Sequence, residues 1–310
     1  MYESMDQDNN PDSLSWINVA FAFSFILVNA FLSTVFRLDI GFSLITAAIR
    51  CIVQLALVGT ILQKVFEADN PWAVAAIALL LNLLGTVEVV ANKSKRRHNH
   101  IVPSVLIGLL GSTIPISVIG SRFAMSEERF WKPSQYIPVV GMLCGNTISG
   151  VVVSLNYVLK EIDENRDRIE TYLAFGASRV EATQPIVKEA LLFALTPTIN
   201  QMSVIGIISI PGMMTGAILG GSSVTHAAKL QMIIMFMISA CTALASITCT
   251  TYAVSIIVDG EHRVRPDRVR GSYSWPSLFQ TVTMKLRKLW RADSGRGRGA
   301  SRASLLPHST

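Results

Sequence analysis

The chain has 310 residues, of which 50% are apolar and only 15% charged, with a formal net charge of +6. The apolar residues gather in runs of about 20, the length a helix needs to cross a hydrocarbon core roughly 30 Å thick. That composition identifies an integral membrane protein and leaves no length for a separate soluble domain of ordinary size.

In chain order, residues 1–15 form a short acidic N-terminus. It carries Glu3, Asp6, Asp8 and Asp12 and no Lys or Arg, so the first apolar run is not expected to be a cleaved signal peptide. Seven runs then qualify as spans: Trp16 to Phe36, Phe42 to Leu62, Trp72 to Ala91, Ile101 to Ser121, Ile137 to Leu159, Ala190 to Ile210, and Leu230 to Val258. The expected fold is therefore all-α, a polytopic transmembrane permease domain over residues 16–258. A basic tail follows over 259–310, expected to be partly disordered.

Lys and Arg set the orientation, because positively charged loops stay on the cytoplasmic side. Lys93, Lys95, Arg96 and Arg97 follow span three, Lys160, Arg166 and Arg168 follow span five, and eleven Lys or Arg follow span seven. The N-terminus is thus expected outside and the C-terminus inside. In the tail, Ser277 to Trp290 spaces apolar and basic residues as an interfacial helix on anionic lipid would. Ser294 to Thr310 has the composition of a disordered segment. The four cysteines, Cys51, Cys144, Cys241 and Cys249, all fall inside spans and lack the short paired spacing of a zinc site, so they are expected to pack as small apolar residues.

Two ionisable residues lie within spans, Arg50 and Glu88, and such groups need a partner or a function. They are candidates for a salt bridge between helices, with Glu88 also a candidate cation-attracting group on a transport path. Asn146, Asn200 and Gln201 are expected to hydrogen-bond between helices or to face a pathway. Gly141, Gly145 and Gly150 on span five, and Gly108 and Gly111 on span four, are expected to admit close helix packing.

Between spans five and six lies a charge-dense stretch, Lys160 to Glu189, with five basic and seven acidic residues. Ile162, Ile169, Tyr172 and Leu173 recur near a 3.6 period, the mark of an amphipathic helix. Gly176 is expected to make a turn between short helices, and Pro185 a second break before the membrane. A net negative charge argues against an anionic leaflet as partner and favours a protein surface.

The spacing Glu170, five residues, Gly176, nine residues, Ile186 is similar to the coupling loop of ABC-transporter permeases, the element that docks on an ATPase subunit. Thr171 and Tyr172 stand where that motif has two alanines, and its closing Leu-Pro is absent. Thr196-Pro197-Thr198-Ile199-Asn200, then Ile210-Pro211-Gly212-Met213-Met214-Thr215-Gly216 and Lys229-Leu230-Gln231, resemble FetB-type permeases. Those are membrane subunits of ABC transporters linked to metal handling, iron export in bacteria and aluminium resistance in plant relatives. The resemblance covers about Phe36 to Asp259.

It implies a permease that exports or sequesters an iron- or aluminium-related ion, paired with a second copy of itself and with a separate ATPase. Arg168, Glu170, Gly176 and Ile186 would form the coupling surface. No Gly-x-x-x-x-Gly-Lys-Ser/Thr run occurs, so ATP is expected on the partner chain, with no cofactor on this one and no nucleic acid. Met213 and Met214, flanked by Gly212 and Gly216, are expected to sit in a glycine-flexible break where they pack, gate or ligate a soft metal. His226 is a lone loop histidine. The competing classes are an ATP-independent secondary transporter or channel and a seven-helix receptor. No Asp-Arg-Tyr type triplet follows span three and no Asn-Pro pair lies in span seven, the marks that a receptor would show.

Overall fold

A computed structural model describes residues 16–271, apart from positions 39, 69, 95, 99, 127, 128, 130, 260–262 and 266–268. The acidic N-terminus, the interfacial helix expected at Ser277 to Trp290 and the segment Ser294 to Thr310 lie outside the described residues. The fold is all-α and polytopic, and it divides into two units, Met1–Asp69 and Asn70–Thr310.

In the first unit, α1 (Trp16–Val35) and α2 (Gly41–Ala68) form a hairpin. Its turn is held by Ser33, whose carbonyl accepts from the Leu38 N–H at 2.9 Å and whose hydroxyl accepts from the Ile40 N–H at 3.2 Å. A Cβ at Gly41 would lie 3.1 Å from the Ala30 carbonyl oxygen, so a glycine there lets the second helix start against the first. Only Ala30 and Ser33 of α1 are buried. Outward-facing apolar side chains of this kind suit a lipid surrounding.

The second unit carries the core. Asn70 caps α3 (Pro71–Val87) by accepting from the Trp72 N–H at 3.0 Å, and Pro71 occupies the first helical position, where its missing N–H costs nothing. A π-helical turn, Glu88–Lys93, ends this helix, and Arg96–His98 (β1) follows. Next come α4 (Ile101–Ile119), a second π-helical turn over Gly120–Ala124, α5 (Pro133–Glu164), α6 (Arg166–Ala174), α7 (Arg179–Val204), α8 (Gly212–Leu219) and α9 (Val224–Ile257). Helices α5 and α9 form the centre, each packed on α4 and α7, with α3 against α5 and α8 against α9.

Small residues set these close approaches. A side chain at Gly108 would collide with Cys249 Sγ, and one at Gly150 with the Thr242 methyl. Cys241 and Cys249 lie within 3.6 and 3.7 Å of the Ser112 and Ser104 carbonyls, so these thiols fill the α4/α9 seam. Cys144 is likewise buried between α5 and α3, whereas Cys51 is exposed on α2. Gly111, Gly141 and Gly145 depart from expectation, because a Cβ at any of them would meet no atom within 4 Å. The interhelical polar bonds fall on other residues. Thr113 donates to Asn82 Oδ1 at 2.7 Å, and Ser117 and Tyr136 share a hydrogen bond of 2.9 Å.

Six helices among the described residues are long and apolar enough to cross a membrane: Trp16–Val35, Gly41–Glu67, Pro71–Ala91, Ile101–Ala124, Pro133–Glu164 and Val224–Ile257. The sixth expected span, Ala190 to Ile210, is not one of them. Its helix stops at Val204, and its second half carries Thr196, Thr198, Asn200, Gln201 and Ser203, which dilute its hydropathy. Helix α7 nevertheless runs along the bundle from Ala182 and Ala190 in one core cluster to Met202 against another.

Pro185 does not break the chain either, since α7 passes through both Pro185 and Pro197. Ser178 starts this helix two turns ahead of Pro185, and the carbonyl stripped of its donor belongs to exposed Glu181, where water can replace the lost bond. Arg265 N–H donates to the Ile257 carbonyl at 2.9 Å, and Val269–Gly271 (β2) pairs antiparallel with β1. Among the described residues, this small ribbon is a departure from helix that the apolar periodicity gave no reason to expect.

Candidate functional site

The stretch from Lys160 to Glu189 folds as an elbow. Helix α5 runs on to Glu164, so Lys160 to Glu164 continue the span instead of opening a new helix. After Asn165 the chain bends into α6, whose Ile169 and Leu173 are 1% and 4% exposed. Both enter a cluster with Val158, Leu159 and Ile162 of α5, Ala182 and Ala190 of α7 and Val254 and Ile257 of α9. Tyr172, expected on the same apolar stripe, is instead 41% exposed, and its ring lies 5.7 Å from the Arg168 guanidinium.

Gly176 makes the turn for a backbone reason. Its φ is +89°, a value that L side chains avoid, and a Cβ there would meet nothing within 4 Å. Its N–H donates to the Leu173 carbonyl at 3.0 Å and that of Ala177 to the Tyr172 carbonyl at 3.1 Å, the paired bonds of a Schellman C-cap. Two residues on, Ser178 caps α7 in a capping box. Ser178 Oγ accepts from the Glu181 N–H at 3.3 Å, and Glu181 Oε2 accepts from the Ser178 N–H at 2.8 Å. The Ser178 N–H and the Ser178 hydroxyl both donate to this carboxylate and hold the Glu181 pKa below its ordinary value.

The four expected coupling residues share this elbow but not one role. Glu170 accepts from Arg166 Nε at 2.7 Å along α6, an exposed i,i+4 pair that raises the Arg166 pKa further. Arg168 caps the Tyr172 ring, Gly176 makes the turn, and Ile186 packs half-buried against the cluster under α6. A cleft of about 120 Å³ opens between α5, α6 and α7, lined among others by Glu161, Asn165, Arg168, Tyr172, Ile186 and Glu189. The turn itself presents Phe175, 87% exposed, and Val180, 64% exposed. The apolar periodicity did not single out Phe175; an aromatic residue next to the turn glycine of a charge-dense segment is the signal that marks it.

The candidate path residues are dispersed. A Cβ at Gly150 of α5 would lie 3.6 Å from the Ala194 carbonyl of α7, so antiparallel packing sets Asn146, one turn earlier on α5, at the level of Thr198 to Asn200. Asn146, Asn200 and Gln201 are all exposed, and the Asn146 amide donates to Met142 of its own helix at 2.8 Å. They therefore form an outward polar face and not the interhelical bridges expected. Glu88, half-buried, opens the π-helical turn after α3, and Arg50 lies on α2 of the first unit.

Met213 and Met214 lie half-buried in α8, with Met213 against the α5/α9 cluster. The break expected around them is present. Residues 205–211 are not helical, Gly206 has φ +87°, and Gly221 with φ +91° closes α8 in a second Schellman turn. His226 sits in the first turn of α9, its backbone N–H donating to the Ser223 hydroxyl at 3.3 Å. Among the described residues no group of three His, Cys, Asp or Glu is placed to hold a metal ion.

The chain is 33% identical over 214 residues to the UPF0014 membrane protein slr1647 of Synechocystis sp., covering 69% of this chain and 82% of that protein. It is 28% identical over 235 residues to the protein ALUMINUM SENSITIVE 3 of Arabidopsis thaliana, covering 76% and 84%. It is 25% identical over 238 residues to the probable iron export permease protein FetB of Escherichia coli, covering 77% and 90%. No solved structure matches. With six apolar helices of spanning length and a family model matched over residues 16–257, the chain is an integral multi-pass membrane protein and belongs to the uncharacterised protein family UPF0014.

Proposed function

We propose that this protein is the membrane subunit of an ABC transporter, exporting or sequestering an iron- or aluminium-related metal ion with energy supplied by a separate ATPase. The observation that carries this reading is the seating of α6. Its buried Ile169 and Leu173 lock into one cluster with α5, α7 and α9, so a push on α6 is delivered to three long helices at once. A loop that merely joined two spans would need no such anchorage.

Three further observations support it. The chain contains no phosphate-cradling Gly-x-x-x-x-Gly-Lys-Ser/Thr run, so nucleotide hydrolysis belongs to another chain. A relative carries permease and iron export in its name. The elbow, the connection after α3 and the segment after α9 gather at one end of the second unit, where β1 packs on both α5 and α9. These are the connections that carry the Lys and Arg which the positive-inside rule counts irrespective of net charge, so a cytoplasmic placement of that end follows from it.

In this reading α7 is a seventh crossing, the N-terminus lies outside and the C-terminus inside. The outward amides of Asn146, Asn200 and Gln201 avoid hydrocarbon by facing a second copy of the chain or a hydrated path between copies. Glu88, Arg50, Met213 and Met214 are further candidates along the route, and Arg168, Glu170, Gly176 and Ile186 belong to the ATPase-facing elbow.

Purification of the full chain in mild detergent from its own membranes tests this directly. A stoichiometric ATP-hydrolysing subunit is expected to co-purify. A G protein in its place would establish the receptor class, and a pure single species that conducts ions would establish a channel; either result removes the proposal.

A further inference from the structure

Phe175 stands at the tip of the elbow, between the end of α6 and the Gly176 turn, with 87% of its surface in solvent, and Val180 in the first turn of α7 is 64% exposed. Lipid is a poor explanation for this apolar tip. Glu189 is the last charge on α7 before its apolar stretch, and Ser178 lies eleven residues ahead of it, about 16 Å farther along the helix. The tip is therefore held well out from the level at which charges cease.

The chemistry around the tip narrows the partner. Seven acidic residues against five basic ones occupy Lys160 to Glu189. Two of the cations are spent within the elbow, since Lys160 pairs with Glu164 at 3.5 Å and Arg166 with Glu170 at 2.7 Å. A third, Arg168, lies over the Tyr172 ring. Asp163 and Asp167 are exposed on the same segment. An anionic leaflet would repel such a collar, whereas a basic protein surface would attract it. The turn is also rigid. A Schellman cap on one side and a capping box on the other fix the backbone that carries Phe175, so little ordering entropy opposes its burial in a partner.

Resting on the reading of this chain as an ATPase-driven permease, we infer that Phe175 is the anchor of the docking surface and that the ATPase subunit receives it in an apolar socket rimmed by Lys and Arg. Val180 flanks the ring at the socket edge. The acidic collar supplies orientation and association rate, and the ring supplies most of the residence time.

The test uses the full chain in nanodiscs and the ATP-hydrolysing subunit that co-purifies with it. Phe175→Ala is expected to weaken binding at least about tenfold, chiefly through faster dissociation, while Phe175→Trp stays within about threefold of wild type. Because the ring is exposed, the Ala variant should unfold at the wild-type temperature, which separates lost docking from lost fold. Raising salt from about 0.05 to 0.5 M should slow wild-type association several-fold. If wild type binds and Phe175→Ala binds within twofold of it, the anchor is refuted and the permease reading stands. If salt accelerates association, the basic rim is refuted. If wild type binds no ATP-hydrolysing subunit, the permease reading itself falls.

Discussion

The α4/α9 seam and the α5/α7 elbow both depend on glycine, for opposite reasons. At Gly108 the backbone is ordinary helix and the space is missing, because Cys249 Sγ occupies the place a side chain would take. At Gly176 the space is open and the backbone is unusual, with φ at +89°. The first glycine is a packing requirement that brings two membrane helices together, where small residues let backbones approach. The second is a conformational requirement that aims an exposed tip. One region is built to stay closed, and the other is the surface that the proposed ATPase would meet.

Substitutions that exchange these two requirements separate the regions. The largest effect is expected at Gly108→Ala, which overpacks the seam and should cost about 1–3 kcal/mol of stability, read as a lower unfolding temperature in detergent. Adding Cys249→Ala removes the atom that the new methyl strikes, so the double variant should recover part of the loss. Non-recovery would mean that the seam is not limited by that contact.

Gly176→Ala comes next. It should cost about 1–2 kcal/mol through backbone strain alone, confined to the elbow. Hydrogen exchange should speed up across α6 and the start of α7 while the bundle's unfolding temperature holds, and Gly176→Asn should do less harm.

The smallest effect concerns the capping box. Ser178→Ala should loosen the first turn of α7 by about 1 kcal/mol. The Glu181 contribution has a defined pH sense. Its folded pKa is depressed below the ordinary 4.5, so the stabilisation is fully present above that value and is lost as pH falls through the depressed one. Amide protection at residues 179–182 should therefore be flat near neutrality and fall in acid. In Glu181→Gln the acid loss should vanish.

The fold was legible where composition speaks most strongly. Six of the seven apolar runs, the five within Trp16 to Leu159 and the one from Leu230 to Val258, correspond to helices long and apolar enough to cross a membrane. What escaped was set by tertiary context. The expected sixth span is helical, but it starts at Arg179 and stops at Val204, and the polar residues from Thr196 to Ser203 keep it out of the six strongly apolar helices while it packs on α5 and α9. Pro185 reads as a break in isolation, but a capping box upstream carries the helix through it.

Glycine spacing on span five overstated the packing, since only Gly150 of the three faces a neighbour. In the elbow, the turn at Gly176 and the burial of Ile162, Ile169 and Leu173 followed the residue pattern. Burial cannot be assigned from period alone at the edge of a short helix, so Tyr172 was misplaced and exposed Phe175 was missed.

The central claim is that this chain moves its cargo only when an ATPase works on the elbow. Metal-ion flux into sealed vesicles, with the chain alone or with the ATP-hydrolysing subunit, each with and without ATP, measures it directly. Flux is expected only when subunit and ATP are both present. A comparable flux from the chain alone, without nucleotide, would contradict the account.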